Sequence, residues 1–324
     1  MPEFSIIEKY FKPLTNGQKA ARGLRDDVAK IALKKDEELV ISKDMFVENV
    51  HFLTSDGAHK IAAKLLLRNL SDIAASGAKP LYYVLGFGKT KKCDEKFFSE
   101  FARGLKEVQN QFGISLIGGD TANCREMFFS ITIFGVVKKN KILSRDGAKN
   151  GDLIFVSGNI GDAHKGLQIK LAKQDKNLSA AQKKYFLERH FFPTPRIKLG
   201  EELLKKNLSS CAIDISDGLL ADLRHICESS KLDGEINLEQ IPFYLQNLKT
   251  AQKLDLIGGG DDYELLFAVN PKDLKKIAQL EKTLKIKLSC IGAFKKPANK
   301  KPAITLHDLE NKKIPIKKFG YEHL

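Results

Sequence analysis

The stretch Ala212–Ile226, AIDISDGLLADLRHI, decides the fold class. Its first residues alternate in polarity, so that Asp214 and Ser216 share one face of a predicted strand and two isoleucines lie behind them in a core. A turn at Asp217 then opens a predicted amphipathic helix, whose apolar side carries Leu219, Leu220, Leu223 and Ile226. A strand that ends in polar side chains and passes directly into a helix favours a phosphate or metal–phosphate site at the turn. The plainer alternative is that Asp217 is only an N-cap.

The rest of the chain repeats this mixture of strands and helices. Periodicity predicts strands over Val28–Leu33, Leu39–Asp44, Leu81–Phe87, Ser115–Ile117, Phe128–Val137, Leu153–Ser157 and Tyr263–Val269, and helices over Ala58–Ala75 and Glu95–Phe112. Residues 144–152 are rich in glycine and polar side chains, which is typical of a domain junction. We therefore expect an α/β chain with mixed, α+β-like sheets, divided into domains of residues 1–143 and 144–324.

Composition excludes several classes of protein. The 324 residues are 43% hydrophobic, which is too apolar for a disordered chain, and no apolar run reaches the roughly 18 residues of a membrane helix. Five cysteines without C-x-x-C spacing, and no signal peptide, predict reduced thiols and a cytoplasmic location. The net charge of +14 comes from 45 lysines and only 9 arginines. Because arginine is the usual reader of bases, we expect a solvated surface and no nucleic-acid or membrane partner.

Acidic residues recur at the ends of predicted elements. Period-two geometry puts Ser42 and Asp44 on one face of a strand. Further carboxylates come at Asp27, Asp72 and Asp120, and in the GGGDD run of residues 258–262. Each alone is a common turn residue, but together they form a set of oxygen ligands without His or Cys companions, which suits Mg²⁺ and its phosphates. We infer Mg²⁺–nucleotide chemistry at a cleft between the two domains.

The usual nucleotide-binding motifs are absent from the sequence. No G-x-x-x-x-G-K-[ST] loop is present, and the two glycines of Gly158–Gly161 do not make a G-x-G-x-x-G fingerprint. The H-R-D and D-F-G signatures of protein kinases are also absent.

The motifs together resemble the thiamine-monophosphate kinase family, within the wider superfamily of aminoimidazole-ribonucleotide synthetase. The resemblance runs in order from Phe4 to the C-terminus. It is carried by Asp26-Asp27, Val47–Phe52, Asn69–Ala75, Gly118–Thr121, Ser144–Ala148, Ile213–Leu220, Gly259–Leu266 and Gly320–His323. The combination of IDISDG, GG-acid-DYEL and the terminal Gly-aromatic-x-His narrows it to the thiamine enzymes.

The resemblance implies ATP-dependent phosphorylation of thiamine monophosphate to thiamine diphosphate, with ATP as co-substrate and several Mg²⁺ ions. It also implies a two-domain aminoimidazole-ribonucleotide-synthetase-like fold. The sheet of residues 1–143, the domain expected to bind ATP and Mg²⁺, would pair across a homodimer, and residues 144–324 would complete the cleft. By motif, the metal positions are Asp27, Ser42, Lys43 (through its backbone), Asp44, Asp72, Asp120, Asp214 and Asp217. The ATP positions are Gly119, Asp120, Arg145 and Ser216, and the substrate positions are His51, Asp261 and Tyr321. Asp72, Asp214 and Arg145 are the expected catalytic residues.

Three departures from the family pattern are visible. Arg25 precedes the first acidic pair in place of glycine, Lys43 replaces a threonine, and Asp261 replaces a glutamate that would reach one methylene further. Two other functions remain open at this point. One is another ATP-using synthetase of the superfamily, and the other is a basic nucleic-acid-binding protein on the same fold.

Overall fold

A computed structural model describes residues 1–171 and 177–321. The chain forms two compact units. The first unit comprises Met1–Ile73 and Ala78–Lys141, and the second comprises Ala74–Gly77 and Ile142–Leu324. In the part of the chain so described, no helix is both long and apolar enough to span a membrane.

The first unit is built on a four-stranded sheet with the order β1-β4-β2-β3. Its strands are β1 (Glu37–Val47), β2 (Lys79–Lys89), β3 (Ser115–Asn123) and β4 (Phe128–Lys138), and its helices are α1 (Glu3–Ile6), α2 (Ala58–Ala75, whose last residues belong to the second unit) and α3 (Glu95–Phe112). Strand β4 runs antiparallel to both β1 and β2. Strand β3 runs parallel to β2, because α3 carries the chain back between them.

Helices α2 and α3 pack apolar side chains into the core of this unit, and both begin and end where the periodicity predicts. The four predicted core positions of α2 are buried: Ile61, Leu65, Leu66 and Leu70. On the sheet side, the ring centroids of Phe87 and Phe129 lie 4.8 Å apart, and Phe101 of α3 packs against both. Burying each such side chain stabilises the fold by roughly 1.5–3 kcal/mol, so this aromatic cluster fixes α3 on the sheet.

The second unit is built on a seven-stranded mixed sheet with the order β11-β10-β7-β9-β5-β8-β6. Its strands are β5 (Leu153–Ser157), β6 (Ala212–Asp214), β7 (Asp233–Asn237), β8 (Leu265–Val269), β9 (Leu288–Lys295), β10 (Ile304–His307) and β11 (Lys313–Ile314). Its helices are α4 (Asp162–Lys170), α5 (Ala180–Phe191), α6 (Ile197–Lys205), α7 (Leu219–Ser230), α8 (Thr250–Ile257) and α9 (Leu274–Leu284). The predicted apolar side of α7 is buried against the strands of this sheet.

Besides extensions of one to three residues at the ends of β1, β2 and β4, three strand predictions need correction. Residues 28–33 form no strand: most of them are exposed, and only Ile31 is partly buried, against Ala20, Ala21 and Ile117. Strand β3 does not end at Ile117 but continues to Asn123, because β2 pairs with it along its whole length. Strand β8 begins at Leu265, two residues later than predicted.

Candidate active site

The first unit brings three of the predicted metal ligands together. Ser42 and Asp44 lie on one face of β1, and Asp72 extends from α2 so that the Ser42 hydroxyl donates to Asp72 Oδ2 at 2.5 Å. Arg68, one turn earlier on α2, donates from Nε to Asp44 Oδ2 at 3.2 Å. We call the four residues Ser42, Asp44, Arg68 and Asp72 the β1–α2 corner.

The donor set of the β1–α2 corner fits Mg²⁺. It offers two carboxylates and a hydroxyl, with no nitrogen or sulfur ligand, which is the chemistry that this ion prefers. Among residues 1–171 and 177–321, no three His, Cys, Asp or Glu side chains converge into a complete metal cage. Mg²⁺ is usually held by one or two carboxylates and completes its shell with water and phosphate oxygens. The corner therefore suits an ion that arrives with a nucleotide.

Lys43 directs its side chain away from this corner. Its Nζ donates to Ser130 Oγ of β4 at 3.3 Å, on the opposite face of the sheet from Ser42 and Asp44. The replacement of threonine by lysine therefore adds no cation to the β1–α2 corner. The metal prediction for Lys43 concerns its backbone carbonyl alone.

Gly119 and Asp120 lie within β3, not in a turn after it, and both are exposed. At Gly119, a Cβ atom would stand 2.2 Å from the carbonyl oxygen of Leu85 on β2. Only glycine permits this approach of the two strands, which coincides with a register shift next to Val84. Gly119 thus serves strand packing, and Asp120 follows it at an exposed position of β3.

Two further predicted residues of the first unit lie in loops. Asp27 is exposed in the irregular segment before β1. His51 follows β1, and its Nδ1 accepts a hydrogen bond from the N–H of Val47 at 3.1 Å while its ring packs on Phe46. Because Nδ1 is an acceptor, the proton of a neutral ring stands on Nε2.

In the second unit, the turn after β6 does not present free amides as the sequence suggests. Asp222, in the first turn of α7, is almost fully buried, and its Oδ2 accepts the N–H groups of Ser216 (3.0 Å), Asp217 (3.1 Å) and Gly218 (3.2 Å). These amides would otherwise be the anion site of the helix terminus. The expected phosphate cradle of backbone amides is therefore filled by the chain's own carboxylate. The N-cap alternative is also wrong, since Gly218 is the N-cap and no side chain caps the helix from that position.

The loop before β8 is bonded directly to this turn. The N–H of Asp261 donates to the carbonyl of Ser216 at 2.8 Å, and the N–H of Tyr263 donates to that of Ile215 at 2.9 Å. The Tyr263 hydroxyl donates to Asp261 Oδ1 at 3.0 Å. Asp261 and Tyr263 both have positive φ, 72° and 51°, a conformation that non-glycine residues hold only when their surroundings enforce it. The second unit thus places Asp261 beside Ser216, and Asp214 is buried at the end of β6 two residues away.

The C-terminal segment reaches the same turn. The N–H of Tyr321 donates to the carbonyl of Asp217 at 2.9 Å, while its ring remains half exposed. A Cβ atom at Gly320 would approach the same carbonyl to 2.5 Å, so glycine is needed for this contact. Tyr321 therefore lies beside Asp217. His323, which completes the terminal motif, lies outside the described residues.

Arg145 lies elsewhere in the second unit. Its carbonyl accepts a hydrogen bond from Ser230 Oγ, at the last residue of α7, whereas Asp217 and Gly218 precede the first residue of that helix. A helix of 12 residues is about 18 Å long. This unit therefore does not bring the backbone of Arg145 next to Ser216.

A buried hydrogen-bond network anchors the residues that directly follow Asp261. The fully buried Glu264 accepts hydrogen bonds from Ser157 (2.6 Å), Arg189 (2.8 Å) and Arg196, whose Nε and Nη2 both bond at 2.6 Å. Next to it, Asp262 accepts the N–H groups of Gly161 (2.6 Å) and Ala163 (3.0 Å) at the start of α4. Burial raises the pKa of Asp262 well above its ordinary value. Two acidic residues of the D-Y-E-L sequence thus anchor the loop rather than face a ligand.

The neighbouring carboxyl of Asp162 makes stability depend on pH. Burial raises its pKa from 3.8 to about 6, against an opposing hydrogen bond from Tyr185. Because the folded chain holds this proton more tightly than the unfolded chain, the group's contribution to stability falls as pH rises from about 4 to about 6. We expect Asp162→Asn to gain about 2 to 3 kcal/mol of unfolding free energy over the wild type between pH 4 and pH 7, measured by urea unfolding. Asp94→Asn, at the exposed N-cap of α3, serves as the control with no such gain. Parallel pH profiles for the wild type and Asp162→Asn would contradict the assignment.

Sequence reasoning missed Arg68, Asp222, Tyr263 and Glu264. The signal for Asp222 is its position four residues after Gly218, where a carboxylate reaches back to the amides of the preceding turn. The signal for Arg68 is its spacing of four residues from Asp72 on α2. Glu264 alternates with aromatic and apolar neighbours in a strand-like run, and only its tertiary partners explain its burial.

The comparisons with known proteins define the class first. The family model of the N-terminal domain of AIR synthase related proteins matches residues 25–137, and that of their C-terminal domain matches residues 149–301. The chain therefore has the architecture of an AIR-synthase-related protein, one domain from each model.

Relatives narrow this class. The thiamine-monophosphate kinase of Buchnera aphidicola subsp. Schizaphis graminum is 38% identical over 99% of this chain and 98% of its own length. The crystal structure of thiamine-monophosphate kinase from Stenotrophomonas maltophilia K279a is 31% identical and superposes with a TM-score of 0.82 over 94% of this chain and 96% of that one. The structure of AaThiL complexed with AMPPCP and TMP, 24% identical, shares the fold with a TM-score of 0.75 over 90% of this chain and 89% of that one. The chain belongs to the thiamine-monophosphate kinase family and is an enzyme.

Proposed function

We propose that this chain is a cytoplasmic kinase that transfers the γ-phosphoryl group of ATP to thiamine monophosphate, giving thiamine diphosphate and ADP, with Mg²⁺. The observation that carries the proposal is the β1–α2 corner, where Asp44 and Asp72 supply magnesium-type ligands in a chain of this family. AMPPCP and TMP, the ligands of AaThiL, are an ATP analogue and a monophosphate, in agreement with these two substrates.

In this proposal, residues 1–143 bind ATP and Mg²⁺, and residues 144–324 contribute the remaining groups. Mg²⁺, when bound, supplies neutralisation of the phosphate oxygens. The proposed residues that hold it are Asp27, Ser42, Lys43 (carbonyl), Asp44, Asp72, Asp120, Asp214 and Asp217. Gly119, Ser216 and Arg145 are the proposed ATP contacts. Since Asp222 already occupies the amides of the turn, Ser216 contributes through its hydroxyl rather than its backbone.

The proposed contacts to thiamine monophosphate are a hydrogen-bond donor, a carboxylate and an aromatic ring. His51 offers Nε2–H to the substrate phosphate, because its Nδ1 is engaged by Val47. Asp261, held by the Tyr263 hydroxyl, is the proposed acidic contact, and Tyr321 offers an exposed ring to the cationic thiazolium. The acceptor is a phosphate oxygen that is already ionised at neutral pH, so these residues bind and orient without acting as a general base.

Direct in-line transfer is the proposed route. It requires one displacement at phosphorus, and the positioning groups named above are sufficient because the nucleophile needs no activation. A γ-thiophosphate made chiral with oxygen isotopes should therefore invert its configuration during the reaction. Retention would indicate two displacements through a phosphorylated enzyme.

Product formation separates this proposal from its rivals. The purified chain is incubated with ATP, Mg²⁺ and thiamine monophosphate, and thiamine diphosphate is quantified by chromatography, with each component omitted in turn. Product only in the complete mixture supports the proposal. Another synthetase of the superfamily would hydrolyse ATP without this product, and a nucleic-acid-binding protein would show steep salt-dependent binding to RNA or DNA instead.

We also propose a homodimer formed through the open face of the first unit's sheet. On β1, Leu39, Ile41, Lys43 and Met45 alternate with the residues of the β1–α2 corner and point to the other face, where Lys43 Nζ bonds Ser130 Oγ. Ile41 and Met45, on either side of Lys43, are 56% and 54% exposed. Exposed apolar residues on an 11-residue edge strand are costly unless a partner covers them.

Ile41→Lys should convert the dimer into a monomer. The introduced lysine would have to desolvate its charge at the interface and would add a second cation beside Lys43, which we expect to weaken association at least about a hundredfold. Light scattering after size exclusion measures the mass of wild type and variant. Leu309→Lys, at a 75% exposed position of the second unit, is the matched control and should keep the wild-type mass. A monomeric wild type, or an Ile41→Lys protein that remains dimeric, would contradict this interface.

A further inference from the structure

Arg68 is a cation placed at the edge of a predicted cation site. Its Nε bonds Asp44 Oδ2 at 3.2 Å, and its guanidinium stands 5.3 Å from the centre of the Phe46 ring. The side chains of Arg68 and Asp44 are 15% and 27% exposed, so solvent screens this pair less than a surface pair. The ring and the carboxylate together hold the guanidinium at the β1–α2 corner.

This placement has two electrostatic consequences for a divalent ion at the same corner. A bond from Arg68 occupies Asp44 Oδ2, one of the hard oxygens that Mg²⁺ would use. The fixed positive charge also repels any second cation brought close to it.

We propose that Arg68 competes with Mg²⁺ for the carboxylate of Asp44 and so lowers the metal affinity of the β1–α2 corner in the absence of nucleotide. Metal binding then depends on phosphates that compensate the guanidinium charge, which couples the ion to ATP. The inference rests on the proposed function only for the identity of the phosphate ligand. The competition itself concerns the chain and the metal.

Mn²⁺ binding to the protein without nucleotide tests the competition. Free Mn²⁺ is measured by electron paramagnetic resonance during titration of the wild type, Arg68→Gln, Arg103→Gln and Asp44→Asn. Arg103 lies on α3 in the same unit and pairs with Glu100 and Glu107, so Arg103→Gln removes the same charge at a distance from the corner. We expect Arg68→Gln to bind Mn²⁺ about fivefold more tightly than the wild type, a change of about 1 kcal/mol.

Two control variants show whether a change in Mn²⁺ affinity comes from the β1–α2 corner. Arg103→Gln should bind as the wild type does, and Asp44→Asn should lose the site that Arg68→Gln strengthens. Equal or weaker Mn²⁺ binding by Arg68→Gln would overturn the proposal, since it would mean that Arg68 merely orients Asp44. If Arg68→Gln does not fold, Arg68→Met decides. Because methionine carries neither the positive charge nor an N–H donor, Arg68→Met should also bind Mn²⁺ more tightly than the wild type, and unchanged affinity would overturn the inference.

Failure of this inference and failure of the proposed function give different results. If the wild type forms thiamine diphosphate but Arg68→Gln binds Mn²⁺ no more tightly, the proposed function stands and the proposed role of Arg68 is wrong. If Arg68→Gln shows the predicted change in Mn²⁺ affinity but the wild type forms no product, the competition at the β1–α2 corner stands and the proposed substrate is wrong.

Discussion

Asp72→Asn is expected to lower kcat for thiamine diphosphate formation by about 10²–10³-fold or more, because it removes a charge that the metal–phosphate assembly requires. The fold should survive the change. The amide oxygen of the introduced asparagine can still accept the hydrogen bond that Ser42 now donates to Asp72 Oδ2, and the partly exposed side chain carries little of the core. Rates measured at saturating ATP and thiamine monophosphate give kcat, and a thermal unfolding curve gives the stability of the variant.

Asp94→Asn is the matched control for this change. It makes the same acid-to-amide replacement in the same unit, at an N-cap where asparagine serves as well as aspartate. We expect its rate and melting temperature to equal those of the wild type. A drop in melting temperature that accounts for the loss of rate in Asp72→Asn would make Asp72 a structural residue. Unchanged turnover would remove the β1–α2 corner from the reaction.

Glu264→Gln is expected to have the largest effect on stability. The carboxylate is fully buried and receives hydrogen bonds from two arginines, of which Arg196 binds with two nitrogens. Neutralising it leaves two guanidinium groups, each only 15% exposed, without their counter-charge. Breaking a buried pair from one side typically costs about 3–5 kcal/mol, so we expect a loss of this size in the urea unfolding of the second unit.

A surface pair provides the comparison. Glu235 of β7 pairs with Lys295 of β9, and their side chains are 38% and 56% exposed. Glu235→Gln should therefore change the unfolding free energy by no more than about 1 kcal/mol. Equal effects of the two substitutions would show that burial does not decide the strength of the Glu264 network. A Glu264→Gln protein with wild-type stability would show that the two arginines find other partners.

The fold was predictable wherever the pattern within one segment was sufficient. The periodicity of α2 and α3 predicted both ends of these helices, and the alternation of β1 predicted that Ser42 and Asp44 share a face. The same alternation explains why Lys43 adds no positive charge to the β1–α2 corner: its side chain lies on the opposite face of the sheet. These features follow from local geometry, since helix and strand periods are properties of the chain itself.

The features that were not predicted depend on contacts outside the pattern of their own segment. Residues 28–33 have a strand-like composition, yet Ile31 packs, partly buried, on Ala20, Ala21 and Ile117, and no strand forms. The turn at Ser216 has the sequence of an anion site, yet the side chain of Asp222 fills it. The burial of Glu264 requires Arg189 and Arg196, which precede it by 75 and 68 residues. For Asp222 and Glu264, hydrogen-bond partners outside the local pattern decide that an acidic residue serves the fold.

Transfer of label from [γ-³²P]ATP tests the central proposal most directly. The wild-type protein is incubated with labelled ATP, unlabelled thiamine monophosphate and Mg²⁺, and the products are separated by thin-layer chromatography. The account predicts that the label appears in thiamine diphosphate, that chelation of Mg²⁺ abolishes the transfer, and that Asp72→Asn reduces it as described above. Folded protein that leaves thiamine monophosphate unlabelled under saturating Mg²⁺, or that releases the label only as inorganic phosphate, would contradict it.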